Sequence, residues 1–213
     1  MAALFGIFVT SFIIAFSGAL MPGPFLTATI SETTKRGFYA GPMMIVGHGI
    51  LELLLVVSLM LGLAPVLTND TVFGAIALSG AFILFWMAFG MFRSLPTLQL
   101  LTASSDIRRG GLIRTGILMT IANPYWTIWW ATIGLAYIVH SQAFGLTGVT
   151  LFFIGHILAD LVWYSVVSFS IVKGKSFLSV QVYRTVIGVC ACFLVVFAVY
   201  FGYSGIEKFM VFV

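Results

Sequence analysis

Apolar runs of about twenty residues recur along the chain at about 3–22, 39–64, 72–92, 112–139, 145–172 and 183–206. Each is long enough, at about 1.5 Å per helical residue, to cross a hydrocarbon layer of about 30 Å. The polar interruptions between them differ sharply in charge. Lys35 and Arg36 follow the first run; Arg93, Arg108, Arg109 and Arg114 lie between and flank the third and fourth; Lys173, Lys175 and Arg184 separate the fifth and sixth. These are nine of the ten basic residues, whereas the links at 65–71 and 140–144 carry none. Lys and Arg accumulate on the cytoplasmic side of membrane helices, so this alternation predicts six crossings of the cell (inner) membrane, with both termini outside the cytoplasm.

The one extended polar link, 94–110, is expected in the cytoplasm and divides the chain into two three-span halves, 1–93 and 111–213. Three is odd, so the second half enters the membrane from the opposite side. The predicted fold is therefore an all-α integral membrane protein whose six transmembrane helices form two inverted three-helix repeats. A local similarity supports the repeat. Gly47-His48-Gly49-Ile50-Leu51-Glu52 in the second span matches Gly155-His156-Ile157-Leu158-Ala159-Asp160 in the fifth, both reading Gly-His-x-x-x-acid.

Composition agrees with this reading. With 61% hydrophobic residues, 8% charged residues and a mean hydropathy of +1.16, the chain lacks the polar residues that would coat a soluble globule. The net charge of +4 comes from few, scattered residues and does not form a nucleic-acid patch. Cys190 and Cys192 stand two apart, on different faces of a helix, and read as packing or lipid-facing residues. No positive charge precedes the first apolar run, so no cleavable signal peptide is expected.

Two of the runs are broken by proline. Pro22 and Pro24 lack the N–H groups that would bond the carbonyls of Gly18 and Leu20, and Gly23 lies between them; Pro124, after Asn123, frees the carbonyl of Thr120. Carbonyls released at membrane depth must face protein, water or a ligand. Glu52 and Asp160 carry the other signal, because an ionisable group inside a bilayer is costly unless it is paired, protonated or hydrated. Each lies one helical turn from a histidine, so His48 with Glu52 and His156 with Asp160 can share a face and exchange a proton.

Such carboxylates can bind a cationic group or a proton and release it when the site changes sides; they can also be internally satisfied polar contacts between helices. The same four side chains suit zinc, nickel or cobalt, but with no His-rich loop beside them no metal ligand is assigned. Trp126, Trp129 and Trp130, at i, i+3 and i+4, form a stripe that either packs against another helix or presents an aromatic wall to a cation. Asn123 can offer its amide to a ligand or cap the half-helix that Pro124 opens. There is no phosphate-binding glycine loop of the Walker type, no cysteine pair spanning two helices and no evident nucleophile beside the His-acid pairs. No catalytic residue and no cofactor are expected, and the chain does not read as an enzyme.

On Pro22-Gly23-Pro24 at the end of the first span, the Lys35-Arg36-Gly37 turn, Gly41 through Gly47 to Glu52, and Asn123-Pro124 in the fourth span, the chain resembles the lysine-exporter (LysE-type) translocator family. The resemblance runs over most of its length. It implies secondary transport: export of an amino acid or related small metabolite, coupled to the proton or another ion gradient, by a protein that forms small homo-oligomers. Tyr125 stands where members often carry a basic or histidine residue, so lysine is not carried over as the cargo.

The site expected on these grounds is a cavity between the two breaks. Gly18, Leu20, Pro22, Gly23, Pro24, Glu52, Thr120, Asn123, Pro124, Trp126 and Asp160 would bind substrate, and His48, Glu52, His156 and Asp160 would couple protons. The partners are a small molecule and the lipid bilayer. A divalent metal-ion exporter and a non-transporting membrane scaffold are the alternatives.

Overall fold

The computed structural model describes residues 1–67, 69–97, 109–174 and 179–210. Most of the expected link 94–110 therefore lies outside the described residues, as do Arg108 and Lys175. All regular structure among the described residues is helical. The helices are α1 (Ala2–Ala19), α2 (Pro24–Arg36), α3 (Ala40–Ser58), α4 (Ala64–Leu67), α5 (Asp70–Ser94), α6 (Arg109–Ile121), α7 (Pro124–Trp129), α8 (Leu135–Gln142), α9 (Gly145–Lys173) and α10 (Val180–Met210). Wide π turns at Leu59–Leu63 and Trp130–Gly134 join α3 to α4 and α7 to α8. Gly62 supplies the first of these bends with φ 106°, a conformation that a side chain would strain.

Among the described residues, five stretches are long and apolar enough to cross a membrane: Ala2–Ala19, Ala40–Val66, Asp70–Thr97, Gly145–Lys173 and Val180–Met210. These agree with five of the six predicted runs. The predicted run at 112–139 is not one rod. Its proline divides it into α6, whose 13 residues reach about 20 Å, and the bent α7–α8 rod. The first run likewise stops at Ala19 and resumes as α2 at Pro24, because neither Pro22 nor Pro24 can continue the hydrogen-bond ladder.

Helix directions follow from contacts between them. Phe8 and Ser11 of α1 lie against Gly155, Phe25 stacks edge-on against Tyr164 and Thr33 bonds Ser168 at 3.0 Å, so α1 and α2 run alongside α9 in its direction. Met44 meets Gly116 and His48 meets Thr120, making α3 and α6 parallel. Gly41 packs on Tyr164 and Gly49 on Ile157, so α3 and α9 are antiparallel. The pair α5 and α10 is antiparallel too: Asp70 binds Lys208 at 2.6 Å, and at the other end Arg184 donates to the Pro96 carbonyl.

The closest crossings use glycine as the space that lets backbones meet. A Cβ on Gly47 would come 2.1 Å from the Ile113 carbonyl oxygen, and one on Gly155 would come 2.6 Å from that of Phe8. These are the two glycines of the Gly-His-x-x-x-acid motifs. Gly47→Val and Gly155→Val are therefore each expected to cost about 1–3 kcal/mol by overpacking and to lower the thermal unfolding midpoint in detergent. Gly90→Ala, where nothing among the described residues lies within 4 Å of the added methyl, does not lower the midpoint, since alanine is the better helix former.

Candidate functional site

Glu52 lies near the middle of Ala40–Val66 and Asp160 near the middle of Gly145–Lys173. The antiparallel crossing of α3 and α9 brings them together with their histidines. His48 Nε2 stands 3.0 Å from Glu52 Oε1 and 3.5 Å from Asp160 Oδ2, and His156 Nε2 stands 3.0 Å from Glu52 Oε2 and 3.5 Å from Asp160 Oδ2. One atom from each of the four side chains falls within 4.8 Å of the others. Glu52, His156 and Asp160 are buried and His48 is partly so. The sequence pairs each histidine with the acid on its own helix; the fold makes one quartet from two helices.

Glu52 is held by tryptophans. Trp126 Nε1 donates to its Oε1 at 3.0 Å and Trp130 Nε1 at 2.8 Å. Indole N–H groups only donate, so this oxygen sits in a site built for an acceptor. The i, i+4 spacing of Trp126 and Trp130 places both on the face toward α3. Trp129 turns toward α1 and donates to Ser17 Oγ at 3.0 Å, while Tyr125 donates to the Ser17 carbonyl at 3.2 Å. The tryptophan stripe thus has a polar purpose at one end and an apolar one at the other, where Trp130 packs edge-on against Phe152.

His48 is oriented from behind. Its Nδ1 is 2.8 Å from Thr120 Oγ1, and the Thr120 hydroxyl donates to the Gly116 carbonyl at 2.8 Å. With that proton committed, Thr120 accepts the His48 Nδ1–H, which turns Nε2 toward the two acids. Among the described residues, Glu52 Oε2 and Asp160 Oδ2 have no hydrogen-bond partner, and neither does His156 Nδ1.

A cavity of about 50 Å³ touches the quartet and is lined also by Gly18, Phe25, Thr120, Asn123, Trp126 and Tyr164. Apolar clusters flank it along α3: Phe25, Ala40, Met44 and Leu112 toward the start of the helix, Val56, Trp130, Ile138 and Phe152 toward its end. That volume holds a few waters, at about 10–15 Å³ each.

The expected binding residues divide accordingly. Gly18, Glu52, Thr120, Asn123, Trp126 and Asp160 line the cavity, as do His48 and His156. Leu20, Pro22, Gly23 and Pro24 make the break without lining it, and Pro124 opens α7. The carbonyls of Gly18 and Thr120 are not wholly free, since each accepts at 3.1 Å from the third residue on, Met21 and Asn123; one lone pair remains on each. Asn123 makes no side-chain cap bond and lines the cavity. Trp130, Ser17, Phe25 and Tyr164 were not foreseen. Only Trp130 had a signal, its four-residue spacing from Trp126.

Three comparisons bear on this site. The family described as LysE type translocator matches residues 16–205. The chain is similar to the "Putative amino acid efflux protein YcgF" of Bacillus subtilis (strain 168), 24% identical over 212 residues that cover 96% of this chain and 99% of that one. No solved structure matches. Trp130→Phe should leave the buried carboxylate short of one charge-assisted donor, a loss of about 1.5–3 kcal/mol readable as a lower unfolding midpoint; Trp86→Phe, at a position 67% exposed, should not move it.

Proposed function

The chain belongs to the LysE-type translocator family, and on that premise we propose that it is a secondary exporter of an amino acid or related small metabolite, driven by the proton gradient. A translocator moves its cargo without transforming it, and five apolar helices of membrane length fit that role. The observation that carries the mechanism is the quartet His48, Glu52, His156 and Asp160, buried at mid-span beside a cavity between two helix breaks. The name of the Bacillus subtilis relative supports the amino-acid class of cargo.

In this reading α6, α7 and α8 together make a sixth crossing, and the halves are inverted repeats. Several contacts support it. The α1–α9 pair corresponds to the α6–α3 pair when each helix is exchanged for its counterpart in the other half. In both pairs the motif glycine rests on a backbone carbonyl of the first helix of the opposite half, Gly155 on Phe8 and Gly47 on Ile113. The basic ends of α2, α5 and α9 then face the cytoplasm, the termini lie outside, and the membrane is the inner one. The apolar faces left exposed, such as Phe82, Phe85 and Phe89 on α5, meet lipid or a second copy in a homo-oligomer.

The cargo's ammonium sits among Glu52, Asp160 and the remaining lone pairs of the Gly18 and Thr120 carbonyls, and displaces protons held by the quartet. After release, protons from the opposite side refill the quartet. A cavity of about 50 Å³ is too small for an amino acid, so loading requires the halves to part at one apolar cluster while the other stays closed; rocking between these states gives alternating access. Glu52→Gln keeps the shape and removes the exchangeable charge. In proteoliposomes screened with a panel of amino acids, it is expected to reduce proton-driven efflux of the accepted cargo to background, whereas efflux at the wild-type rate would remove the carboxylate from the mechanism.

A further inference from the structure

The quartet's geometry points to a second occupant: we infer that His48 Nε2, His156 Nε2, Glu52 Oε2 and Asp160 Oδ2 form a four-coordinate site for a divalent transition-metal ion of the zinc class. This goes beyond export of an organic cargo and stands whether or not that export is demonstrated.

A tetrahedral zinc ion with bonds of about 2.0–2.1 Å holds its ligand atoms about 3.3 Å apart. In the quartet, His156 Nε2 lies 3.0 Å from Glu52 Oε2, and both histidine Nε2 atoms lie 3.5 Å from Asp160 Oδ2. One ligand atom from each of the four side chains falls within 4.8 Å of the others. Small rotations of four side chains separate this arrangement from a closed coordination sphere.

The surroundings already do what outer groups do around a bound metal. Thr120 holds the Nδ1–H of His48, leaving the Nε2 lone pair to face two carboxylate oxygens. That lone pair needs a proton or a cation between them. Trp126 and Trp130 donate to Glu52 Oε1, which also lies 3.0 Å from His48 Nε2 and 3.2 Å from His156 Nε2, while Oε2 and Asp160 Oδ2 make no hydrogen bond among the described residues and are left to meet a cation.

Charge and donor type select the ion. Two carboxylates, two neutral imidazoles and one divalent cation sum to zero, which suits a dry interior where net charge is costly. Mixed nitrogen and oxygen donors favour zinc, cobalt or nickel, while magnesium and calcium prefer oxygen alone. Binding displaces the protons of the quartet, so the metal and a cargo ammonium compete for the same place.

The test is binding by the full-length protein in detergent, stripped with a chelator and titrated with cobalt(II), then with zinc. Wild type should bind cobalt saturably, with the intense visible absorption of tetrahedral coordination, and lose that colour when zinc is added; magnesium and calcium should not displace it. Asp160→Asn combined with His156→Ala should abolish the signal. Thr120→Ala keeps all four ligands and should weaken affinity about 10–100-fold, with Thr120→Ser restoring it. No saturable cobalt binding by wild type, an octahedral spectrum, or unchanged affinity in the double variant would overturn the site. Since wild type alone gives a decisive result, misfolding of a variant does not protect the inference. Metal binding without amino-acid efflux would sink the transport reading and leave this one intact.

Discussion

Two carboxyl groups buried at mid-span are the constraint around which this protein is arranged. Hydrocarbon offers an anion no compensation, so the compensation must come from the protein and from whatever cation it admits. Glu52 receives two indole N–H groups and lies against two imidazoles. Asp160 Oδ2 lies 3.5 Å from each imidazole and makes no hydrogen bond among the described residues. The asymmetry matters. Glu52 is anchored by two indole donors, and Asp160 presents an oxygen that an arriving positive charge would satisfy.

Helix breaks and glycine crossings serve that arrangement. Interrupting α6 before Pro124 frees the chain to redirect its aromatic residues, so that Trp126 and Trp130 reach across to α3 while Tyr125 and Trp129 grip the end of α1 at Ser17. Without the break, a single straight rod would carry Thr120 and Trp126 past the quartet on a fixed helical pitch. Glycines at 41, 47, 116 and 155 let α3, α6, α9 and α1 approach until backbone touches backbone, which brings short side chains such as Asp160 and Thr120 within bonding distance. The apolar clusters on either side then keep most of the quartet buried, and burial strengthens every electrostatic contact inside it.

The same features explain why one site can be read for a proton, an ammonium group or a metal. All three answer one need, positive charge between paired acids, and differ in size and in the donor geometry they demand. The small cavity favours the compact occupants in this state, and an organic cargo needs a wider one.

Much of this was legible in residue order. Unbroken apolar runs fix helical spans because lipid leaves backbone groups no other partner; proline marks where a span must stop; and an acid within a run announces a polar centre. The four-residue spacing of His48 with Glu52 and of His156 with Asp160 puts each pair on a common face through helical pitch alone. What order could not contain was distance between elements. That α3 and α9 cross antiparallel at the acids, that Thr120 stands behind His48, and that the indoles of Trp126 and Trp130 converge on one oxygen depend on where glycine allows helices to meet. Likewise the freed carbonyls of Gly18 and Thr120 were predictable from proline, but their capture by Met21 and Asn123 was set by how tightly each helix end closes, a choice made only when the chain packs.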